Sequence, residues 1–163
     1  MGDNDDSYIL YMATFPPREC GIATFTYDLV SAIDKKFSSS IKSAILAINR
    51  NGINVYNYPQ KVLYQLNDSD IDEYITLAKK INSNDKIKLI NIQHEFGIFG
   101  GDYGSYLIAF LEVLEKPVII TFHSIPPNPN EQFKKVVQSI AKKVDTIVVM
   151  NRFGRDILKK EYK

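Results

Sequence analysis

The stretch YILYMATFPPRECGIATFTYDLV (Tyr8–Val30) decides the fold. Tyr8–Thr14 is apolar and β-rich, and reads as a buried strand. Pro16 and Pro17 stop it. Only a few residues later, Ile22, Phe25, Leu29, Ile33 and Phe37 recur at spacings of three and four, which predicts a helix with these residues as its apolar face. A strand that passes so quickly into a helix is the opening half of a βαβ unit, and the same rhythm continues downstream.

IKSAILAI (Ile41–Ile48) is a second strand and KVLYQL (Lys61–Leu66) a third. Between them NRNGIN (Asn49–Asn54) carries an Asn-Gly turn signal able to close a hairpin. Asp68, Ser69 or Asp70 can cap a helix whose core face is Ile71, Tyr74, Ile75, Ala78 and Ile81. IKLINIQ (Ile87–Gln93), PVIITF (Pro117–Phe122) and DTIVVM (Asp145–Met150) are further strands. Helical patterns follow each: Tyr106, Leu107, Phe110, Leu111 and Leu114; then Phe133, Val136, Val137 and Ile140; then a last helix capped by Asn151. Alternating strands and helices predict an α/β, doubly wound, Rossmann-like parallel sheet with helices on both faces. Residues 1–7 read as a disordered tail and 8–163 as one domain.

The composition narrows the function classes. The chain has 163 residues, 45% hydrophobic and 24% charged, with net charge +1. A folded globular domain follows, without the one-signed basic surface of a general nucleic-acid binder. The single cysteine, Cys20, has no partner for an internal disulfide and suggests a reducing, cytoplasmic setting. The acidic start MGDNDDS is unlike a signal peptide, and no apolar run approaches the roughly 20 residues that span a bilayer. Lys134, Lys135, Lys142 and Lys143 form either a solvated helix face or a surface for peripheral contact with an anionic membrane.

In such a sheet, ligands bind beyond the carboxyl ends of the strands. Three unusual loops leave that edge: Phe15–Ile22, His94–Gly104 and His123–Asn130. Both histidines stand as the first residue after a strand, where each is either a site residue or a cap for the strand end. Gly21 allows a tight turn or a close ligand approach, ahead of a helix N-terminus that favours an anion. Gly97, Gly100, Gly101 and Gly104 open the second loop. No G-x-G-x-x-G and no G-x-x-x-x-G-K-[ST] occurs. His94-Glu95 begins an H-E-x-x-H pattern, but position 98 is Ile98, so no metal site is predicted. Cys20 is either a nucleophile at a helix N-terminus or a small apolar spacer; the spacer is the simpler reading. Tyr11, Phe96, Phe99, Tyr103 and Tyr106 supply aromatic surface for sugar stacking or for the core.

Three ordered motifs, TFPPRECGIATFTYDLV, QHEFGIFGGDYGSYL and ITFHSIPPNPN, together resemble the N-terminal domain of family 4 retaining glycosyltransferases. The resemblance covers nearly the whole chain. It implies the glycosyltransferase-B architecture, in which two Rossmann-like domains face a cleft. The N-terminal domain then holds an acceptor, a sugar-containing molecule or a lipid, and the C-terminal domain binds most of a nucleotide-sugar donor. Gly21, with Ile22 and Ala23, matches the loop that approaches the donor diphosphate. His123 matches a histidine near the transferred sugar and is the catalytic candidate. His94, Glu95, Gly100 and Gly101 match the acceptor side. No cofactor and no obligatory metal are implied. The second domain is missing, and the sequence stops at ILKKEYK, either a cut inside a longer protein or a natural end. The resemblance therefore implies half an active site with little turnover alone. The rival readings are a binding module without catalysis and a Cys-His hydrolase using Cys20.

Overall fold

The structure, a computed structural model, describes residues 7–37, 40–50, 52 and 56–162. The predicted tail lies outside them apart from Ser7, and so does much of the predicted Asn-Gly turn. The elements are β1 (Tyr8–Ala13), α1 (Gly21–Phe37), β2 (Lys42–Asn49), β3 (Val62–Asn67), α2 (Ile71–Asn82), β4 (Ile87–His94), α3 (Tyr106–Val113), β5 (Val118–Phe122), α4 (Glu131–Ala141), β6 (Thr146–Val149) and α5 (Arg152–Glu161). A short 3-10 turn, Asp102–Gly104, precedes α3.

The strands form a six-stranded sheet in the order β3-β2-β1-β4-β5-β6, with every pair parallel. This is a doubly wound, Rossmann-like α/β fold. β2 and β3 are parallel neighbours, so the hairpin expected between them does not form. A parallel partner requires the chain to return to the other end of the sheet before pairing. Residues 50–61 are long enough for that: twelve residues reach up to about 40 Å, and a six-residue strand spans about 20 Å.

Side chains alternate between the two faces of each strand. Leu10, Met12, Leu46, Ile48, Ile90, Ile92, Val118, Ile120 and Phe122 point to the larger core, closed by residues of α2, α3, α4 and α5. Tyr11, Ile45 and Ala47 point the other way, to a smaller core under Val30 of α1. The helix stripe that meets the sheet is shifted from the predicted apolar one, of which Ile22 and Leu29 pack at the margins of the cores. Ala23, Thr26 and Val30 are the buried residues of α1, while Phe25 and Phe37 are 36% and 42% exposed. Small residues let α1 sit close to β1 and β2, and Thr26 satisfies its own hydroxyl by donating to the Ile22 carbonyl at 2.7 Å. α2 follows the prediction more closely. Asp70 caps it by accepting from the Asp72 and Glu73 amides, and Tyr74, Ala78 and Ile81 are buried, though Ile71 is 41% exposed.

Tyr74 also fixes the long loop after β4. Its hydroxyl accepts from the Gly100 amide at 3.1 Å and donates to the Asp68 carbonyl at 3.3 Å. The loop is drawn so near β3 that a Cβ on Gly100 would lie 1.7 Å from the Asp68 carbonyl oxygen. Gly101 has φ +75°, a left-handed backbone where side chains are strained. Both glycines are thus demanded by the chain's own packing. Gly100→Ala is expected to lower unfolding stability by roughly 3 kcal/mol or more, measured by urea denaturation. A change within about 0.5 kcal/mol would show that the loop does not make this approach.

Candidate functional site

Sequence order reverses its direction of travel across the sheet between β1 and β4: β2 and β3 lie to one side, β5 and β6 to the other. Loops that leave such a switch point splay apart and open a crevice at the carboxyl edge. A cleft of about 690 Å³ occupies that place. Pro17, Arg18 and Cys20 line it from the loop after β1, Arg50 and Tyr56 from beyond β2, and Gly97 from the loop after β4. Arg18 Nη1 donates to the Ile48 carbonyl at 2.8 Å, and Arg50 Nη2 donates to the Gly97 carbonyl at 3.3 Å. Arg50 Nε lies 3.9 Å from the Asp68 carboxylate, whose pKa burial pushes up and the two arginines pull down, with burial prevailing. Neither arginine was singled out from sequence. The available signal was position, since Arg50 directly follows β2 and Arg18 lies in the loop that follows β1.

The two histidines, matched in the sequence reading, part company here. His94 is the last residue of β4 and pairs in register with Phe122, so His123 stands one residue further on. One residue along a strand reverses the side chain's face. His94 therefore points into the larger core. It is fully buried, stacked on Phe99 at 5.0 Å, with the rings of Phe96 and Phe122 edge-on at 4.7 and 4.9 Å. Neither ring nitrogen has a hydrogen-bond partner. Burial, with a smaller contribution from His123, lowers its pKa to about 3, so the ring is neutral. The His94 side chain, expected on the acceptor side, does not line the cleft.

His123 takes the opposite face. It is half-buried, its Nε2 lies 2.9 Å from Gln93 Oε1, and the Phe25 ring meets it edge-on at 4.6 Å. Phe25, expected in the core, thus acts as a wall for this imidazole. Burial lowers the His123 pKa and the nearby Glu95 partly opposes that. Glu95 itself ties two loops together. It accepts from the Phe96 amide at 2.9 Å and from the Ser124 hydroxyl at 3.1 and 2.9 Å. A smaller cavity of about 150 Å³ opens beside His123 and Ser124, bounded by Met150, Asn151 and Phe153.

The first loop differs from expectation in detail. Gly21 is the exposed first residue of α1, outside the left-handed region, and a Cβ there would meet nothing within 4 Å. No turn or packing contact explains a glycine at this position. Ile22 packs at the margin of the larger core and Ala23 is buried against the sheet, so their side chains do not face the cleft. The Cys20 sulfur lies 3.0 Å from the Thr14 hydroxyl, and no hydrogen bond joins it to either imidazole. A Cys-His dyad is not assembled. Tyr11 and Phe99 belong to the cores, and Phe96, Tyr103 and Tyr106 pack against the larger one.

Among the described residues no group of three or more His, Cys, Asp or Glu is placed to hold a metal ion, and no helix is long and apolar enough to cross a membrane. No protein-family model, curated protein or solved structure matches the chain.

The buried His94 makes a pH prediction. Its folded pKa of about 3 lies below the ordinary 6.5, so the unfolded chain binds the extra proton between those values. The stability that a neutral His94 permits is full above pH 6.5 and is lost as pH falls toward 3. His94→Met removes two unpartnered nitrogens. It is expected to keep or raise the melting temperature at neutral pH and to flatten the decline on acidification. Parallel decline in both proteins, by thermal unfolding across that range, would contradict the buried neutral ring.

Proposed function

We propose that this chain is the acceptor-side half of a retaining glycosyltransferase that moves a sugar from a nucleotide-sugar donor to a sugar-containing or lipid acceptor. The observation that carries the reading is the exposed Gly21 that follows Cys20 at the rim of the switch-point cleft, with His123 bordering a smaller cavity at the same carboxyl edge. The motif resemblance adds the reaction class. In this reading a second domain brings most of the donor, and no metal is required.

The chain's own groups have definable tasks. The intrahelical bonds of α1 begin with the Thr24 amide donating to the Cys20 carbonyl at 3.1 Å, so the N–H groups of Gly21, Ile22 and Ala23 precede the helical ladder. Those groups, with the helix dipole, suit the developing charge of a departing diphosphate. The bare Gly21 lets a phosphate reach them. His123, neutral and held from behind, offers one polar contact to the transferred sugar. The cleft between Arg18 and Arg50 holds the acceptor, and positioning supplies much of the rate.

Two substitutions test this in the protein joined to its donor-binding domain, with nucleotide-sugars supplied and products followed by mass spectrometry. His123→Ala should lower kcat by roughly a hundredfold or more, with a melting temperature within about 3 °C of the wild type. A destabilised but fully active variant would assign His123 to structure alone. Gly21→Ala should stabilise the fold by about 0.4–1 kcal/mol, since the helix gains and nothing clashes, while raising KM for the donor. Unchanged donor kinetics would remove the phosphate role of this loop.

A further inference from the structure

The group behind His123 is Gln93, and the way its amide is used fixes more than position. Gln93 is fully buried on β4, directly across from Thr121 on β5. Its Nε2 donates to Asn91 Oδ1 at 2.6 Å and reaches the Thr121 hydroxyl at 3.5 Å. With the NH₂ end occupied by these two oxygens, Oε1 is the end presented to His123 Nε2, at 2.9 Å. An amide oxygen only accepts, so the hydrogen between them belongs to the imidazole. A neutral imidazole carries one hydrogen, and its other nitrogen is then an acceptor. That nitrogen, Nδ1, has no hydrogen-bond partner among the described residues.

We infer that Gln93 is a positioning residue that holds His123 in the Nε2–H tautomer, so that Nδ1 presents an acceptor to a hydroxyl group of the ligand. The hydroxyl as ligand class rests on the sugar-transfer reading of the cleft; the tautomer does not. The opposite tautomer would offer an N–H and suit a carbonyl or an anion. The titratable neighbours of the ring are Glu95, which favours its charged form, and the neutral His94; α1 contributes the Phe25 ring. Burial outweighs Glu95 and keeps His123 neutral near pH 7.

The alternative is that Gln93 merely satisfies its own buried amide, in which case the imidazole is indifferent to it. Long-range ¹H–¹⁵N spectra of the ¹⁵N-histidine-labelled chain near neutral pH separate the two, with His123 assigned by His123→Ala. The expected pattern is a protonated Nε2 and a bare Nδ1. Gln93→Leu should convert it to a mixture of tautomers, in a chain whose backbone spectrum stays folded. Gln93→Glu keeps the acceptor and adds a charge, so it should keep the Nε2–H form and raise the His123 pKa by roughly 1–3 units. An Nδ1–H ring in the wild type, or unchanged ring signals in folded Gln93→Leu, would overturn the inference. If Gln93→Leu does not fold, an unmoved pKa in Gln93→Glu overturns it instead. Because the ring is read without ligand, failed transfer assays would remove the proposed reaction and leave Gln93's role standing, whereas the wrong tautomer would remove Gln93's role alone.

Discussion

The parallel register of β4 on β5 is the constraint from which the rest of the site follows. Gln93 lies opposite Thr121 and His94 opposite Phe122. Backbone hydrogen bonds enforce that pairing beyond the end of the strand: the His123 amide donates to the His94 carbonyl at 3.0 Å. The pleat then sends the odd-numbered residues Asn91, Gln93, Thr121 and His123 to the α1 face, and His94 and Phe122 to the larger core. A slip of one residue in β5 would bury His123 and lift Phe122 into its place. Burial on both sides of the sheet makes such a slip costly, so the core specifies the position of an imidazole that contributes little to the core itself.

The second requirement is a crevice at the same carboxyl edge of the sheet, where the imidazole itself borders a smaller cavity. Strand order supplies it, because the loops after β1 and β4 leave the sheet toward helices on opposite faces. Rigid ties then hold the crevice in shape. Arg18 anchors the first loop to the end of β2, Arg50 reaches across to Gly97, and Glu95 clasps Ser124. Tyr74 secures the far end of the β4 loop. These polar contacts add to the apolar anchors of the same loops, Phe15 in the first and Ile98 and Phe99 in the second, and together they spare a ligand the entropic cost of ordering them.

The fold was legible in the sequence where burial produces a strong period. The β-rich runs and the cap at Asn151 are local signals that the structure matches, and of the candidates Asp68, Ser69 and Asp70 it is Asp70 that caps α2. Features that depend on which elements become neighbours were less legible. The Asn-Gly signal after β2 says that the chain turns but not where it pairs next, and the pairing is parallel. The apolar spacing of α1 was real but marked the flanks, because the sheet accepts Ala23, Thr26 and Val30 at close range. The histidines show the limit most sharply. A strand boundary is uncertain by about one or two residues, and one residue decides whether a ring takes the α1 face or the larger core. Arg18 and Arg50 were visible as residues near strand ends, yet only the three-dimensional cleft brings them together.

The reactivity of the two imidazoles toward diethyl pyrocarbonate tests the central claim, that register places one histidine at the smaller cavity of the carboxyl edge and the other in the core. The reagent attacks an accessible neutral ring nitrogen, and peptide mass spectrometry assigns the modified residue. The account predicts rapid modification of His123 in the native chain, while His94 reacts only after unfolding. Modification of native His94 as fast as His123, or a His123 that stays unreactive until the chain unfolds, would contradict it.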